Sequence, residues 1–135
     1  MSPTARQDQS NNNNTILQQK EFTTPPTIPT PTKPPTKPWY KIGPGIWELL
    51  LNSDSTSTNK SVLQWYEPRT KSVTDDIITH TYIEEVIFLE GGLEDLTLSQ
   101  AWGKGAYAYR YPGMKHGPYR ALEGGCLQFV KILNT

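Results

Sequence analysis

Cysteine is nearly missing: Cys126 is the only one in 135 residues. One thiol excludes an internal disulfide and fits a reducing compartment. Cys126 reads most simply as a small buried residue on the last strand. Charge of one sign is missing too, since 13 basic and 13 acidic residues give a formal net charge of +0. That balance gives no electrostatic ground for a nucleic-acid partner or an acidic surface. No apolar run is long enough to cross a bilayer, and Met1 to Lys20 has no apolar leader core. The expectation is a cytoplasmic chain with no membrane partner, in which the glycosylation-type triplets at Asn13 and Asn59 go unused. Helical periodicity is absent as well: no segment sustains it over three turns. Gly103-Lys104-Gly105 lacks phosphate-loop spacing, and no helix follows it.

Hydrophobic residues make up 35 % of the chain, and the shortage is concentrated in the first 38 residues. Residues 1–22 are rich in Gln and Asn and bury too little apolar surface to offset the entropy of ordering. Residues 23–38 are Pro, Thr and Lys, which predicts an extended polyproline-like arm. The expected organisation is a disordered tail over 1–38 and one folded domain over 39–135, large enough for a small barrel core.

That domain is rich in Trp, Tyr, Leu and Ile. Ile46 to Leu51 and Ser61 to Glu67 read as strands flanking a polar hairpin loop, with Pro68 as a stop. Asp76 to Tyr82 reads as a strand with Ile78, His80 and Tyr82 on one face. Val86 to Glu90 is a strand closed by Gly91-Gly92, and Leu93 to Trp102 alternates in part. Ala106 to Tyr111 alternates small residues with Tyr107, Tyr109 and Tyr111, an aromatic wall of a barrel or a substrate-stacking surface. Gly124-Gly125 reads as the last hairpin turn before a closing strand, Cys126 to Leu133. Many short strands with Gly and Pro turns predict an all-β barrel or sandwich.

The only two histidines, His80 and His116, sit on such strand patterns, and Glu84 follows His80 by four residues. Two imidazoles and a carboxylate suit a divalent metal (Fe, Mn, Ni, Cu or Zn), if the fold pairs them. Period-2 alternation carries the inward face from Ile78, His80 and Tyr82 to Glu84 and leaves Glu85 outside; a bulge would reverse that choice.

His80 with Glu84-Glu85-Val86-Ile87-Phe88-Leu89-Glu90-Gly91-Gly92, and Pro112-Gly113-Met114-Lys115-His116 with Gly117-Pro118-Tyr119-Arg120, resemble the two motifs of a cupin, nearest the ChrR-like type. The resemblance spans about residues 40–133 and implies a single jelly-roll barrel in which the two motifs meet. It implies metal ligands His80, Glu84 and His116, with Ile78 standing where a four-ligand cupin has a further histidine. A shifted register would instead make His80 the first histidine and put Tyr82 in the second place. The implied cofactor is one divalent ion (Fe, Mn, Ni or Zn). The implied function is a small metal-dependent oxidoreductase, dioxygenase-like, acting on a small organic substrate, with secondary metabolites as the class that the resemblance suggests. In that reading Tyr82 is the proton donor, Trp65, Tyr109 and Tyr111 line the substrate pocket, and Arg110 and Arg120 are anion handles or plain surface residues. The alternative is a non-catalytic binding or regulatory module with weak or no metal binding, which the missing histidine favours. Cupins often pair through edge strands, so a homodimer is also expected of the resemblance.

Overall fold

The computed structural model describes residues 20–30, 32, 38–54 and 58–134. Residues 1–19 and most of the stretch 31–37, where a tail was expected, lie outside the described residues. Seven strands follow in order: β1 (Tyr40–Gly43), β2 (Ile46–Ser53), β3 (Lys60–Tyr66), β4 (Ile83–Asp95), β5 (Gln100–Gly103), β6 (Tyr107–Arg110) and β7 (Tyr119–Leu133). There is no helix among the described residues, so none is long and apolar enough to cross a membrane.

All pairings are antiparallel, in the order β1-β2-β3-β7-β4-β5, with β6 also on β4. The β2–β3 hairpin forms as its polar loop predicts, with Ile46 opposite Tyr66 and Ser53 opposite Lys60. One edge of β4 runs along β7. The other takes β6 over Glu84–Ile87 and β5 over Gly92–Asp95.

β4 and β7 are the long strands, 13 and 15 residues, and each passes straight through a Gly-Gly pair that was expected to be a turn. The glycines bend the strands instead of ending them. Gly91 has φ +65° and Gly125 +78°, and the β4–β7 register shifts between Phe88 and Glu90 and again between Gly91 and Leu93. A Cβ on Gly91 would stand 1.9 Å from the Gly125 carbonyl oxygen, so the two chains touch there with no room for a side chain. Such bulges coil a sheet sharply. The bend lets Val86 and Phe88 on one side, and Leu93, Tyr119 and Ala121 on the other, share one core with Ile46, Val62, Val130 and Ile132. Each large apolar side chain buried there contributes about 1.5–3 kcal/mol against exposure.

The opposite face of the sheet is apolar as well. Trp39, Leu49, Leu63 and Trp65 are buried there, with Trp47, Leu127 and Phe129 packed alongside. The arm reaches this face: Ile28 packs on the same cluster and Pro29 is buried, ahead of residue 39, where the domain was expected to begin.

Asp76 to Tyr82 is not the strand that its alternation predicts. It makes one isolated bridge, Ile78 with His116, through hydrogen bonds of 2.7 and 3.0 Å. Gly113 N–H adds a third contact, to the His80 carbonyl at 2.9 Å. These few bonds bring the segment with His80 against the turn with His116.

Candidate metal centre

His80, Glu84 and His116 converge: one donor atom from each lies within 4.8 Å of the others. Glu84 enters β4 with its side chain on the same side as Val86 and Phe88, which reach the core. Glu85 points the other way, where its carboxylate accepts from the exposed Tyr107 hydroxyl. The alternation argument for Glu84 over Glu85 therefore matches the geometry.

Each imidazole is held through one nitrogen and leaves the other bare. His80 Nδ1 lies 2.8 Å from the Tyr82 carbonyl, which can only accept, so this nitrogen carries the hydrogen. In the neutral ring Nε2 is then a lone pair. The Tyr82 ring stacks on His80 at 4.1 Å and within 4° of parallel, fixing the plane of the imidazole. His116 Nδ1 lies 2.7 Å from the Tyr119 hydroxyl. Both Nε2 atoms are buried and without a hydrogen-bond partner. Buried polar atoms left without a partner are expensive. Two of them, with the rings 5.0 Å apart beside a carboxylate, are what a cation site presents. The chemistry of the donor set fits a divalent ion of the imidazole-preferring kind. Two donors at about 2.0–2.2 Å from one ion are at most about 4.4 Å apart, so the cluster would have to close by a few tenths of an ångström to hold one.

The electrostatics favour a neutral His116 imidazole. Burial, then the charges of Arg110 and His80, hold His116 at about 4, with Asp95 pulling weakly the other way. The ring is thus neutral at neutral pH, and the tautomer in which Nδ1–H donates to the Tyr119 hydroxyl leaves Nε2 as a lone pair. Tyr82 is shifted upward by desolvation and by the nearby carboxylates of Glu84 and Glu48, so its phenol stays protonated.

Arg110 is the residue that sequence reasoning undervalued. It faces Glu84 directly across β4–β6 and donates to Glu84 Oε1 at 2.9 Å. Its side chain is only 6 % exposed, and it lies over the Tyr119 ring at 5.3 Å. The alternation of Tyr107 to Tyr111 held the signal, read with the wrong face inward. The tyrosines are the exposed set, and Ala108 and Arg110 face in. A cavity of about 210 Å³ adjoins the site, lined among others by Arg110, His116, Lys115, Trp102, Tyr109 and Tyr119.

The expected aromatic pocket is largely elsewhere. Trp65 packs with Trp39, Leu49 and Leu63 on the outer face, and its neighbour Tyr66 takes the inner one. Tyr111 is exposed; Tyr109, also exposed, borders the cavity. Arg120 is half-buried on β7, opposite Glu94 and bridged to Lys71. A second feature missed is a polar row across the sheet: Glu48, Gln64 and Gln128 lie opposite one another in register, and the Glu48 carboxylate takes Gln64 at 3.0 Å and Lys60 at 3.2 Å. Its sign in the sequence is Glu48 in phase with buried Ile46.

Solved structures share this architecture at low identity. An RmlC-like cupin from Shewanella frigidimarina aligns with TM-score 0.56 and 17 % identity over 70 % of this chain and 81 % of its own. KdgF from Halomonas sp. aligns with TM-score 0.54 and 14 % identity over 70 % and 83 %. A chain of the Rhodobacter sphaeroides SigE complex with the anti-sigma ChrR aligns with TM-score 0.56 and 19 % identity, covering 69 % of this chain but 48 % of that one. At these identities the likeness shows the fold, a cupin jelly roll. No curated protein matches the sequence. Residues 30–135 match the ChrR cupin-like domain, and with most of its length so matched the chain belongs to that family.

Proposed function

We propose that this protein is a small cupin enzyme that holds one divalent ion through His80, Glu84 and His116 and acts on a small organic molecule in the adjoining cavity. The observation that carries the reading is the pair of buried, unpartnered Nε2 atoms facing one carboxylate. When bound, such an ion supplies Lewis acidity or, for Fe or Mn, one-electron chemistry, and three protein donors leave positions open for other ligands. The reaction class we favour is oxidoreduction of the dioxygenase type.

The chain's own residues have separable tasks. Tyr82 sets the plane of His80 by stacking and its tautomer by its carbonyl. The Tyr82 phenol, kept protonated, is the proton donor beside the site. Tyr119 orients His116. Trp102 and Tyr119 give the cavity an aromatic lining.

A non-catalytic binding module is the second reading. It draws on Ile78, partly buried against the core directly opposite His116, which offers no fourth donor. Metal analysis of the purified protein beside His80→Ala and His116→Ala tests the first reading. We expect about one ion per chain in the parent and none in either variant. A parent that takes up no Fe(II), Mn(II) or Zn(II) would leave only the second.

A further inference from the structure

Glu84 is the one carboxylate of the three-residue cluster, and it is already neutralised. Arg110 Nη1 donates to its Oε1 at 2.9 Å, and the two side chains are 6 % and 17 % exposed. The strand register enforces this pair, because Glu84 and Arg110 are directly opposed. A divalent ion among His80, Glu84 and His116 therefore meets protein charges that cancel.

Two further buried carboxylates bear on the cluster: Glu48, whose charge is met by Lys60 at 3.2 Å, and Asp95, whose oxygens are engaged by the backbone N–H groups of Thr97, Leu98 and Gly117. Even with Asp95 counted at full charge, the loaded site holds one positive charge in excess. Lys115, on the same cavity wall, adds to it. Uncompensated charge at a buried site is strongly unfavourable, and an anion from outside removes it. The place for that anion is marked by Arg110, a planar fork of five donors suited to carboxylates, which lines the cavity next to His116.

We propose that the site takes its ion together with a small organic carboxylate: the ion draws Glu84 away from Arg110, and the freed guanidinium binds the carboxylate in the cavity beside His116. This rests on the metal-site reading above and names the substrate class of the same site. Metal and anion then bind with positive coupling, each raising the other's affinity equally.

The test is calorimetric titration of the full chain with Mn(II), first in a perchlorate medium and then with acetate at equal ionic strength. We expect acetate to raise the Mn(II) affinity of the parent by about tenfold. Arg110→Gln, which keeps a hydrogen bond to Glu84 without the charge, should bind Mn(II) more tightly in perchlorate and lose most of the acetate effect. Mn(II) binding that depends on His80 but ignores acetate in the parent would overturn this inference and leave the metal site standing. An Arg110→Gln protein that keeps the full acetate effect would also overturn it. No Mn(II) uptake by the parent in either medium would overturn both. The parent titration decides alone if Arg110→Gln fails to fold.

Discussion

Replacing Asp95 with alanine strands three backbone N–H groups at once. Asp95 ends β4, is 2 % exposed, and accepts from Thr97 N at 2.9 Å, Leu98 N at 3.0 Å and Gly117 N at 2.9 Å. A hydrogen bond to a charged group contributes about 1.5–3 kcal/mol. Thr97 and Leu98 share one oxygen in a half-buried turn where water can replace part of the loss, whereas the Gly117 bond is buried. One full bond and part of a second give a cost of ~3–4 kcal/mol for Asp95→Ala. Asp95→Asn keeps one acceptor oxygen but aims an amide N–H at an N–H, for ~1.5–3 kcal/mol. Against a total of ~5–15 kcal/mol for a domain, both variants remain foldable, with the alanine form close to its limit. Urea titration followed by tryptophan fluorescence measures the loss. With a slope of ~1–3 kcal/mol per molar urea, the alanine midpoint falls by at least ~1 M. Gly117 follows His116, so a folded Asp95→Asn protein should also take up divalent ions more weakly. A loss under ~1 kcal/mol for Asp95→Ala would refute the argument, because it would mean that water satisfies all three donors.

Ile78→His places an imidazole directly opposite His116, where paired Cβ atoms lie about 4.5–5.5 Å apart, and should raise divalent-ion affinity about ten- to hundredfold in a competition titration. Cys126 is buried and its thiol is pushed up to about 12, so the native protein at pH 8 should ignore a thiol reagent that labels one site in urea. Burial also raises Tyr119 to about 12 and shifts Tyr66 upward. The unfolded chain then releases these protons first, and stability, full below about pH 9, should fall as pH rises towards 12; equal urea midpoints at pH 8 and 10.5 would contradict this. Gly91→Ala, with its Cβ 1.9 Å from the Gly125 oxygen, should prevent folding or cost several times more than Gly113→Ala, which has a similar positive φ but nothing within 4 Å. The second variant reads the backbone strain alone, about 1–3 kcal/mol.

The β2–β3 hairpin was legible because a polar loop separates two apolar runs. The bends at Gly91 and Gly125 were not. A Gly-Gly pair reads equally as a turn or as a bulge, and only the partner strand across the ladder decides. The face of Trp65 was not legible, because both parities of Ser61 to Glu67 carry aromatics and a sheet with two apolar faces erases the difference that alternation normally marks. Tyr107 to Tyr111 failed for the related reason. Size suggested that the tyrosines filled the interior, whereas Ala108 is the side chain that fits opposite Val86 and Arg110 the one that finds Glu84. The grouping of His80, Glu84 and His116 was legible through the motif resemblance, since nothing in the spacing states that Ile78 pairs with His116.

The cluster is built from two unlike halves. Glu84 and Arg110 are on paired strands, their separation set by the ladder, and Glu84 is bound on its other side to Ile132 of β7. His80 and His116 hang from segments joined to each other by one isolated bridge and the Gly113 contact. Closing the donors from 4.8 Å to about 4.4 Å therefore falls to the imidazoles and the Glu84 rotamer, not to the sheet. Each imidazole movement is limited by a tyrosine: stacking by Tyr82 on one side, the hydrogen bond between His116 Nδ1 and the Tyr119 hydroxyl on the other. The Glu84 rotamer is held by the Arg110 hydrogen bond at 2.9 Å, with His80 Nε2 3.9 Å away. In the proposed coupled binding, the residue that sets the free energy of closure is thus not one of the three donors but the guanidinium that must release one of them. A fourth donor in place of Ile78, opposite His116, would make that proposed binding depend less on the release of Glu84.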